Sequence, residues 1–469
     1  MRVPETWSFT AARWGYTLLH TLVLPLYPVR SRLRPGHPTV LTPRLGGANS
    51  FAGLPPIPPE GSWWLHAVSV GEVNAVRPLA EALSRLVPGP LIVSTITPSG
   101  QETARKNLGA FAHTLYFPVD LPGVCRRYFR ALRPRLILLA ETEIWPNFIR
   151  AAKRQGIPVV VVNGRISDRS FGRYRRMRSL FLPVFARLDR VCAQSRLDRE
   201  RFIELGVPPE AVHLVGNLKF DYVPRPEPRH AALNERVQRL WSEKGGDLIL
   251  LAGSTKPGEE ALLVGIFRRL REAVPRLRLI LAPRHPHRAE EVCRLVEEAG
   301  LAVLRRSTWE ERTPEVPPDV LILDTIGELA HLYAVADVVF IGGSLVPEGG
   351  QNVIEPAAYG KPVLFGPHME NFREVAAAFV DEYAAIQVAD AAELEERLRT
   401  LFADAHARRW LGRNARQVIR RNQGALERTL RILRPYLGVE AEPAQQPPAA
   451  AAAEEELNDE PTVARTVER

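Results

Sequence analysis

"WWLHAVSVGEVNAVRPLAEAL", Trp63 to Leu83, joins a short apolar run to a longer amphipathic one across a turn at Ser69-Val70-Gly71. Trp63 to Val68 reads as a strand, and Glu72 begins a helix. A strand that turns straight into a helix is half of a β-α-β unit. The same alternation recurs along the chain. Strands are expected at 63–68, 91–96, 135–140, 158–163 and 190–194 in the first half, and at 247–253, 278–283, 320–324, 337–343 and 362–366 in the second. The expected fold class is α/β, with two doubly wound parallel-sheet domains facing a central cleft at the carboxyl ends of their strands, where ligands bind in such sheets. A proline-rich, charged stretch, "DYVPRPEPRHAALNERVQ" (221–238), reads as the connection between them. The domain plan is therefore an amino-terminal segment over 1–34, a first domain over 35–222, a linker over 223–240, a second domain over 241–437 and a tail over 438–469.

A chain of 469 residues, 45% hydrophobic and 25% charged, can bury large cores, and its length favours two or three domains. The net charge of +9 is carried by arginine far more than by lysine. It suits phosphates, nucleic acid or an anionic membrane surface, and charge alone does not choose among them. Cys125, Cys192 and Cys293 are widely spaced and form no C-x-x-C pair, so neither a disulfide framework nor a zinc site is indicated, and a reducing cytoplasm is expected. Trp14 to Tyr27 is apolar apart from Thr17, His20 and Thr21, and "RSRLR" follows at 30–34. That run is too short for a bilayer core needing about 20 residues. Its aromatic residues and trailing basic cluster suit lipid headgroups, with a buried helix and a signal peptide as the alternatives. From Gly438 onward the low-complexity, acidic sequence reads as a disordered tail.

Glu72 stands where the first helix leaves the first strand, so it is expected to point into the cleft. An acid there is often only a favourable partner for the helix dipole, worth about 0.3–1 kcal/mol. The helix start also lowers a carboxylate's pKa, whereas a general base working near neutral pH gains from a raised one; desolvation by the facing domain can offset this. At the end of the strand 135–140, "ETEIWPN" (141–147) supplies Glu141 and Glu143, of which Glu141 is the better candidate for a buried functional carboxylate. "NGRISDRSFGRYRRMR" (163–178) holds Arg165, Arg169, Arg173, Arg175, Arg176 and Arg178 against Asp168, a local charge of +5. It is either a solvated helix face or a grip for an acidic or phosphorylated substrate. Lys219, in "GNLKFD" (216–221), is a cation at the close of the first domain.

The second half repeats the loop logic. "AGSTKPGEE" (252–260) offers a Gly-Ser-Thr turn as an anion cradle. Pro283 and Arg284 end a strand, and the neighbouring His285 and His287 lack the acidic or thiolate ligands a metal would need. Ile326, Gly327 and Glu328 open a helix whose amides suit phosphate or a base edge. In "GGSLVPEGGQNVIEPAAYGKPVLFGPHMENFREV" (342–375), four glycines bring backbone close to a ligand, Asn352 caps a helix, and Glu355 is placed to accept two ribose hydroxyls.

"SVGE", "ETEIWPN", "NGRIS-RS", "LKFD", "APRHP-R", "DT-GEL" and "GGSLVP-GGQN--EPAAYGKPVLFGPH", in this order over roughly residues 10 to 435, resemble the 3-deoxy-D-manno-octulosonic acid (Kdo) transferases of lipopolysaccharide assembly. The resemblance implies the GT-B fold of two Rossmann-like domains and an inverting, metal-independent transfer from CMP-Kdo to the lipid A precursor, with no cofactor. It implies attachment to the cytoplasmic face of the inner membrane through the amino-terminal segment, with the anionic membrane surface as a partner and no nucleic acid. By position, Glu72 matches the catalytic base, while Glu141 and Lys219 match residues of transition-state stabilisation. Pro283, Arg284, Ile326, Gly327, Glu328, Asn352, Val353, Ile354 and Glu355 match CMP contacts. Two positions depart from the family pattern: Gln351, where histidine is usual, and Gly164, where alanine is commoner. Another GT-B enzyme, such as a lipid A disaccharide synthase or a nucleotide-sugar epimerase, shares the fold but prefers uridine nucleotides. A non-catalytic binding module has no reason to keep Glu72, Glu141 and Lys219 together.

Overall fold

Every side chain of Ser62–His66 (β1) is buried, which requires a sheet covered on both faces. Trp63 and Trp64 point to opposite faces and enter different cores. Trp64 packs among Phe117, Tyr128, Phe129 and Phe148, and Trp63 joins Leu79, Leu83 and Leu136. Both indole N–H groups find acceptors, Trp63 on the Pro88 carbonyl at 2.9 Å and Trp64 on Ser94 Oγ at 2.8 Å. The remaining strands are Leu91–Thr95 (β2), His113–Tyr116 (β3), Pro134–Ala140 (β4), Val159–Gly164 (β5), Arg190–Ala193 (β6) and Val212–Leu214 (β7). They pair in parallel in the order β3-β2-β1-β4-β5-β6-β7. The winding reverses between β1 and β4, so the loops that leave these two strands diverge and open a crevice.

The computed structural model describes residues 7–24, 40–221, 228–242, 246–309, 314 and 316–438. They divide into two compact units, residues 7–221 with 422–438, and residues 228–421. The second unit holds Leu248–Thr255 (β8), Leu277–Pro283 (β9), Val303–Arg305 (β10), Val320–Ile322 (β11), Val338–Ile341 (β12), Val363–Phe365 (β13) and Ile386–Gln387 (β14). This sheet is also parallel, in the order β10-β11-β9-β8-β12-β13-β14, and its winding reverses between β8 and β12. The ten expected strands are the interior strands of the two sheets; the four edge strands, β3, β7, β10 and β14, were not anticipated.

Two boundaries differ from the sequence reading. The stretch expected to be linker carries the helix Pro228–Ser242, because Leu233, Val237, Leu240 and Trp241 recur at helical spacing and are buried. The helix Ala425–Leu437, expected in the second domain, belongs to the first unit. Its Ala425, Leu433 and Leu437 share a core with Trp63, and the Asp221 carboxylate accepts the backbone N–H groups of Gly424 and Leu426, each at 2.5 Å. The acidic tail beyond Gly438 and the basic cluster at 30–34 lie outside the described residues.

The amino-terminal helix, Trp7–Val23, is turned inside out. Phe9, Arg13 and Thr17 face inward, and the exposed side carries Trp7, Trp14, Leu18, Leu19 and Leu22. Phe9 is fully buried in the core with Ala12 and Tyr16 packed against it, and a polar network holds the helix beside them. Arg13 Nη1 donates to Asn147 Oδ1 at 3.1 Å, and Asn147 Nδ2 donates to Thr17 Oγ1 at 3.0 Å and to the Asp120 carbonyl at 2.9 Å. The buried Asp120 carboxylate accepts the N–H groups of Asn147 and Phe148 at the start of the helix Pro146–Arg154. Burial pushes Asp120 up to about 6 against the pull of those N–H groups. No helix among the described residues is long and apolar enough to cross a membrane.

Candidate active site

The first sheet's crevice collects carboxylates. Ser69 is the N-cap of the helix Val70–Leu86, which puts Glu72 at its third position, the place of the acid in a capping box. Glu72 reaches back: the Val68 N–H donates to its Oε2 at 2.8 Å and the Ser69 hydroxyl to its Oε1 at 3.3 Å. Across the reversal, β4 ends into Glu141 and Glu143. Glu141 sits in the left-handed region at φ +53°, held there by its N–H on the Val162 carbonyl at 3.0 Å. A non-glycine residue in that conformation costs of order 1 kcal/mol and persists only where the surroundings enforce it. Glu143 accepts the Trp145 indole N–H at 2.9 Å.

Burial is the largest influence on Glu72, and the like charges of Glu141 and Glu143 add to it. Together they outweigh the two hydrogen bonds and push Glu72 from 4.5 up to about 8. The opposition between helix start and base strength is thus resolved within the first unit itself. Lys219 lies half-buried in the 3-10 turn Leu218–Asp221, which packs against the helix carrying Glu72. A chain of amides fixes that turn. Gln194 Nε2 donates to the Asn163 carbonyl, Asn217 Nδ2 to Gln194 Oε1, and the Leu218 N–H to Asn163 Oδ1, each at 2.9 Å; the Lys219 N–H reaches Asn217 Oδ1 at 3.0 Å. Of the arginine stretch, Arg169, Arg173, Arg175, Arg176 and Arg178 are exposed on the helices Asp168–Arg176 and Arg178–Phe185, and the second of these packs against the amino-terminal helix.

In the second unit, Pro283 closes β9 and Arg284 follows it, exposed, with its N–H on the Thr255 carbonyl at 2.9 Å. Asn352 Oδ1 accepts the Ile354 N–H at 3.0 Å while its Nδ2 donates to Glu355 Oε1 at 3.1 Å, so the expected cap and the expected ribose acceptor are one hydrogen-bonded pair. Burial raises Glu355, with Asn352 and the Arg284 guanidinium pulling the other way. The side chains of Val353 and Ile354 are buried in the core, which leaves only their backbone for a ligand. Ile326 and Gly327 are exposed, and the Glu328 carboxylate is taken by Thr325 Oγ1 and by Arg306 Nη2, the latter at 2.8 Å.

The anion cradle expected at 252–260 is already filled. Glu259, fully buried at the start of its helix, accepts four backbone N–H groups: Lys256 at 2.9 Å, Gly343 at 2.6 Å, and Ser344 and Leu345 at 3.0 Å. The Lys256 amide of that loop and three amides of the glycine-rich stretch at 342–375 bind this carboxylate. Gly342 shows why glycine is needed there, since a Cβ at that position would lie 2.5 Å from the Thr255 Cα. Sequence reasoning missed Glu259, Asn163, Gln194 and Asn217. The acids of "GEE" were visible, but three of the four N–H groups that Glu259 accepts lie more than 80 residues away.

A pair of doubly wound parallel units is the fold of the GT-B glycosyltransferases. It is shared with the UDP-GlcNAc 2-epimerase of Neisseria meningitidis solved with UDP-GlcNAc, which covers 79% of this chain and 99% of its own at a TM-score of 0.51; at 13% identity that likeness concerns the fold alone. Residues 41–222 match the family model of the 3-deoxy-D-manno-octulosonic-acid transferases (kdotransferase). The 3-deoxy-D-manno-octulosonic acid transferase of Haemophilus influenzae is 34% identical over 396 residues, 84% of this chain and 91% of that one. Its counterpart in Bordetella pertussis is 36% identical over 405 residues, with the same shares. The chain belongs to the Kdo transferase family, and is a glycosyltransferase.

Glu72 holds its proton more tightly in the folded state than in the unfolded chain. The stability linked to it is present below about pH 4.5 and is lost as the pH rises toward about 8. Glu72→Gln escapes that loss. The variant is expected to match the parent in urea denaturation near pH 4.5 and to exceed it by on the order of 1–3 kcal/mol at pH 8. A gap that stays constant with pH contradicts the raised pKa.

Proposed function

We propose that this chain moves Kdo from CMP-Kdo to a hydroxyl of the lipid A precursor with inversion at the anomeric carbon, and that Glu72 is the base. The observation that carries this reading is Glu72 at the switch point of the first sheet with its pKa pushed up to about 8. A base works best when its pKa lies near the working pH, and an ordinary surface glutamate falls short by several units. Glu72 takes the acceptor hydroxyl's proton as that oxygen bonds to the anomeric carbon, and the carbon–oxygen bond to CMP breaks. Glu141 faces the positive charge that builds on the sugar, and Lys219 offsets negative charge. In the second unit, Glu355 and Asn352 are suited to ribose hydroxyls and Arg284 to the phosphate. The scheme requires no cofactor.

The family's acceptor is a lipid, and the amino-terminal helix supplies a surface for lipid. We read its outward Trp7, Trp14, Leu18, Leu19 and Leu22 as lying in the interface of an anionic membrane, on the cytoplasmic face of the inner membrane. The exposed arginines of 169–178 are suited to headgroups beside it.

Glu72→Gln is expected to lower release of CMP from CMP-Kdo, with a tetraacyl disaccharide acceptor, by about 10²–10⁴-fold. Turnover within tenfold of the parent removes Glu72 from the base role. A Trp14→Glu/Leu18→Glu variant is expected to bind vesicles containing anionic lipid at least about tenfold more weakly in cosedimentation. Unchanged binding contradicts the membrane reading.

A further inference from the structure

His66, the last residue of β1, has no solvent exposure and no part in the scheme above. Its Nδ1 lies 3.0 Å from the Ser94 carbonyl oxygen and 3.0 Å from Ser94 Oγ. A carbonyl oxygen can only accept, so Nδ1 carries a hydrogen. The ring is held in place by stacking on Phe117, with centroids 3.8 Å apart. Its other nitrogen, Nε2, is buried, makes no hydrogen bond, and faces Glu143 Oε2 at 3.8 Å. With the hydrogen on Nδ1, a neutral ring aims a lone pair at a carboxylate, two acceptors with nothing between them. One proton shared by Nε2 and Oε2 turns that repulsion into a charge-assisted contact. The Trp145 indole fixes the same Oε2 from another side.

We propose that His66 and Glu143 are positioning residues that hold one proton between them beside Glu72, and that this proton governs how much negative charge Glu72 faces. The proposal rests on Glu72 being the base. With the proton in place, much of the Glu143 charge is cancelled and Glu141 is the principal like charge; without it, Glu72 faces two full negative charges. The elements packed against the helix of Glu72 carry other charged groups, and these stay the same whether or not that proton is there. They are Lys219 and Asp221 on the 3-10 turn, Glu102, Arg105 and Lys106 on the helix Pro98–Leu108, and Glu427, Arg428, Arg431 and Arg434 on the helix Ala425–Leu437.

The test is a double-mutant cycle read in the pH profile of kcat/KM, with full-length protein, CMP-Kdo and the lipid acceptor. His66→Asn keeps an N–H donor near the Nδ1 position and removes Nε2. It is expected to move the acidic limb of the profile upward by about half a unit to one unit. Glu143→Gln, which removes a charge the shared proton already largely cancels, is expected to leave the limb close to that of the parent, and adding His66→Asn to it is expected to move it no further. A limb that stays put in His66→Asn while rates fall, or a His66→Asn shift of equal size in both backgrounds, overturns the proposal. Should His66→Asn fail to fold, Glu143→Gln on its half-exposed loop decides, and a downward shift of about half a unit or more there means that the Glu143 charge was never cancelled, which is refutation. Loss of turnover in Glu72→Gln with an unmoved limb in His66→Asn defeats this inference alone, whereas full turnover in Glu72→Gln defeats the base reading beneath it.

Discussion

Three carboxylates share one crevice of the first sheet, and a partly desolvated crevice does not let all three ionise freely. Glu72 absorbs the consequence, holding its proton up to about pH 8. The strand order puts it there: β1 and β4 are neighbours whose following helices leave in opposite directions, so Glu72 and Glu141 emerge on either side of the divide. Their proximity is maintained at a cost. Glu141 occupies a left-handed backbone conformation, as does Asn163 at the end of the next strand, at φ +52°. Asn163 in turn anchors the turn that bears Lys219.

The second sheet has its own glutamate in the equivalent loop, and the two differ in how fully their oxygens are committed. Glu259 begins the helix after β8 as Glu72 begins the helix after β1, and burial raises both. Glu259, however, accepts four backbone N–H groups and has no solvent exposure, so its oxygens are committed to joining two loops. Glu72 accepts one backbone N–H and a long hydroxyl contact, and stays half-exposed. Its oxygens keep capacity for a further donor. Similar positions in similar folds thus yield a clamp in one unit and, in the other, a carboxylate with acceptor capacity to spare.

The interior strands were legible because a parallel strand buried on both faces must be apolar throughout, as "RLILLA" and "PVVVVN" are. The four edge strands lack that signature: "VLR" is only half-buried along its length, and "HTLY" begins on an exposed histidine. Strands packed on one side, of two to four residues, leave too short a pattern to separate from loops. Glu72, Glu141 and Lys219 were legible as candidates because charged residues at strand ends and turns stand out against apolar runs. Asn163 and Gln194 did not, since an amide's importance lies in the partner it reaches, and those partners are 31 and 55 residues away. His66 was hidden by its place inside an apolar strand.

Glutamate labelled with ¹³C at the side-chain carboxyl carbon reports protonation directly, and the signal missing from Glu72→Gln identifies the resonance that matters. Titrated by NMR in the intact protein without substrate, that resonance is expected to turn over near pH 8. A midpoint near 4.5, the value of an ordinary glutamate, would mean that the crevice leaves Glu72 ionised at neutral pH and that its neighbours do not shape it.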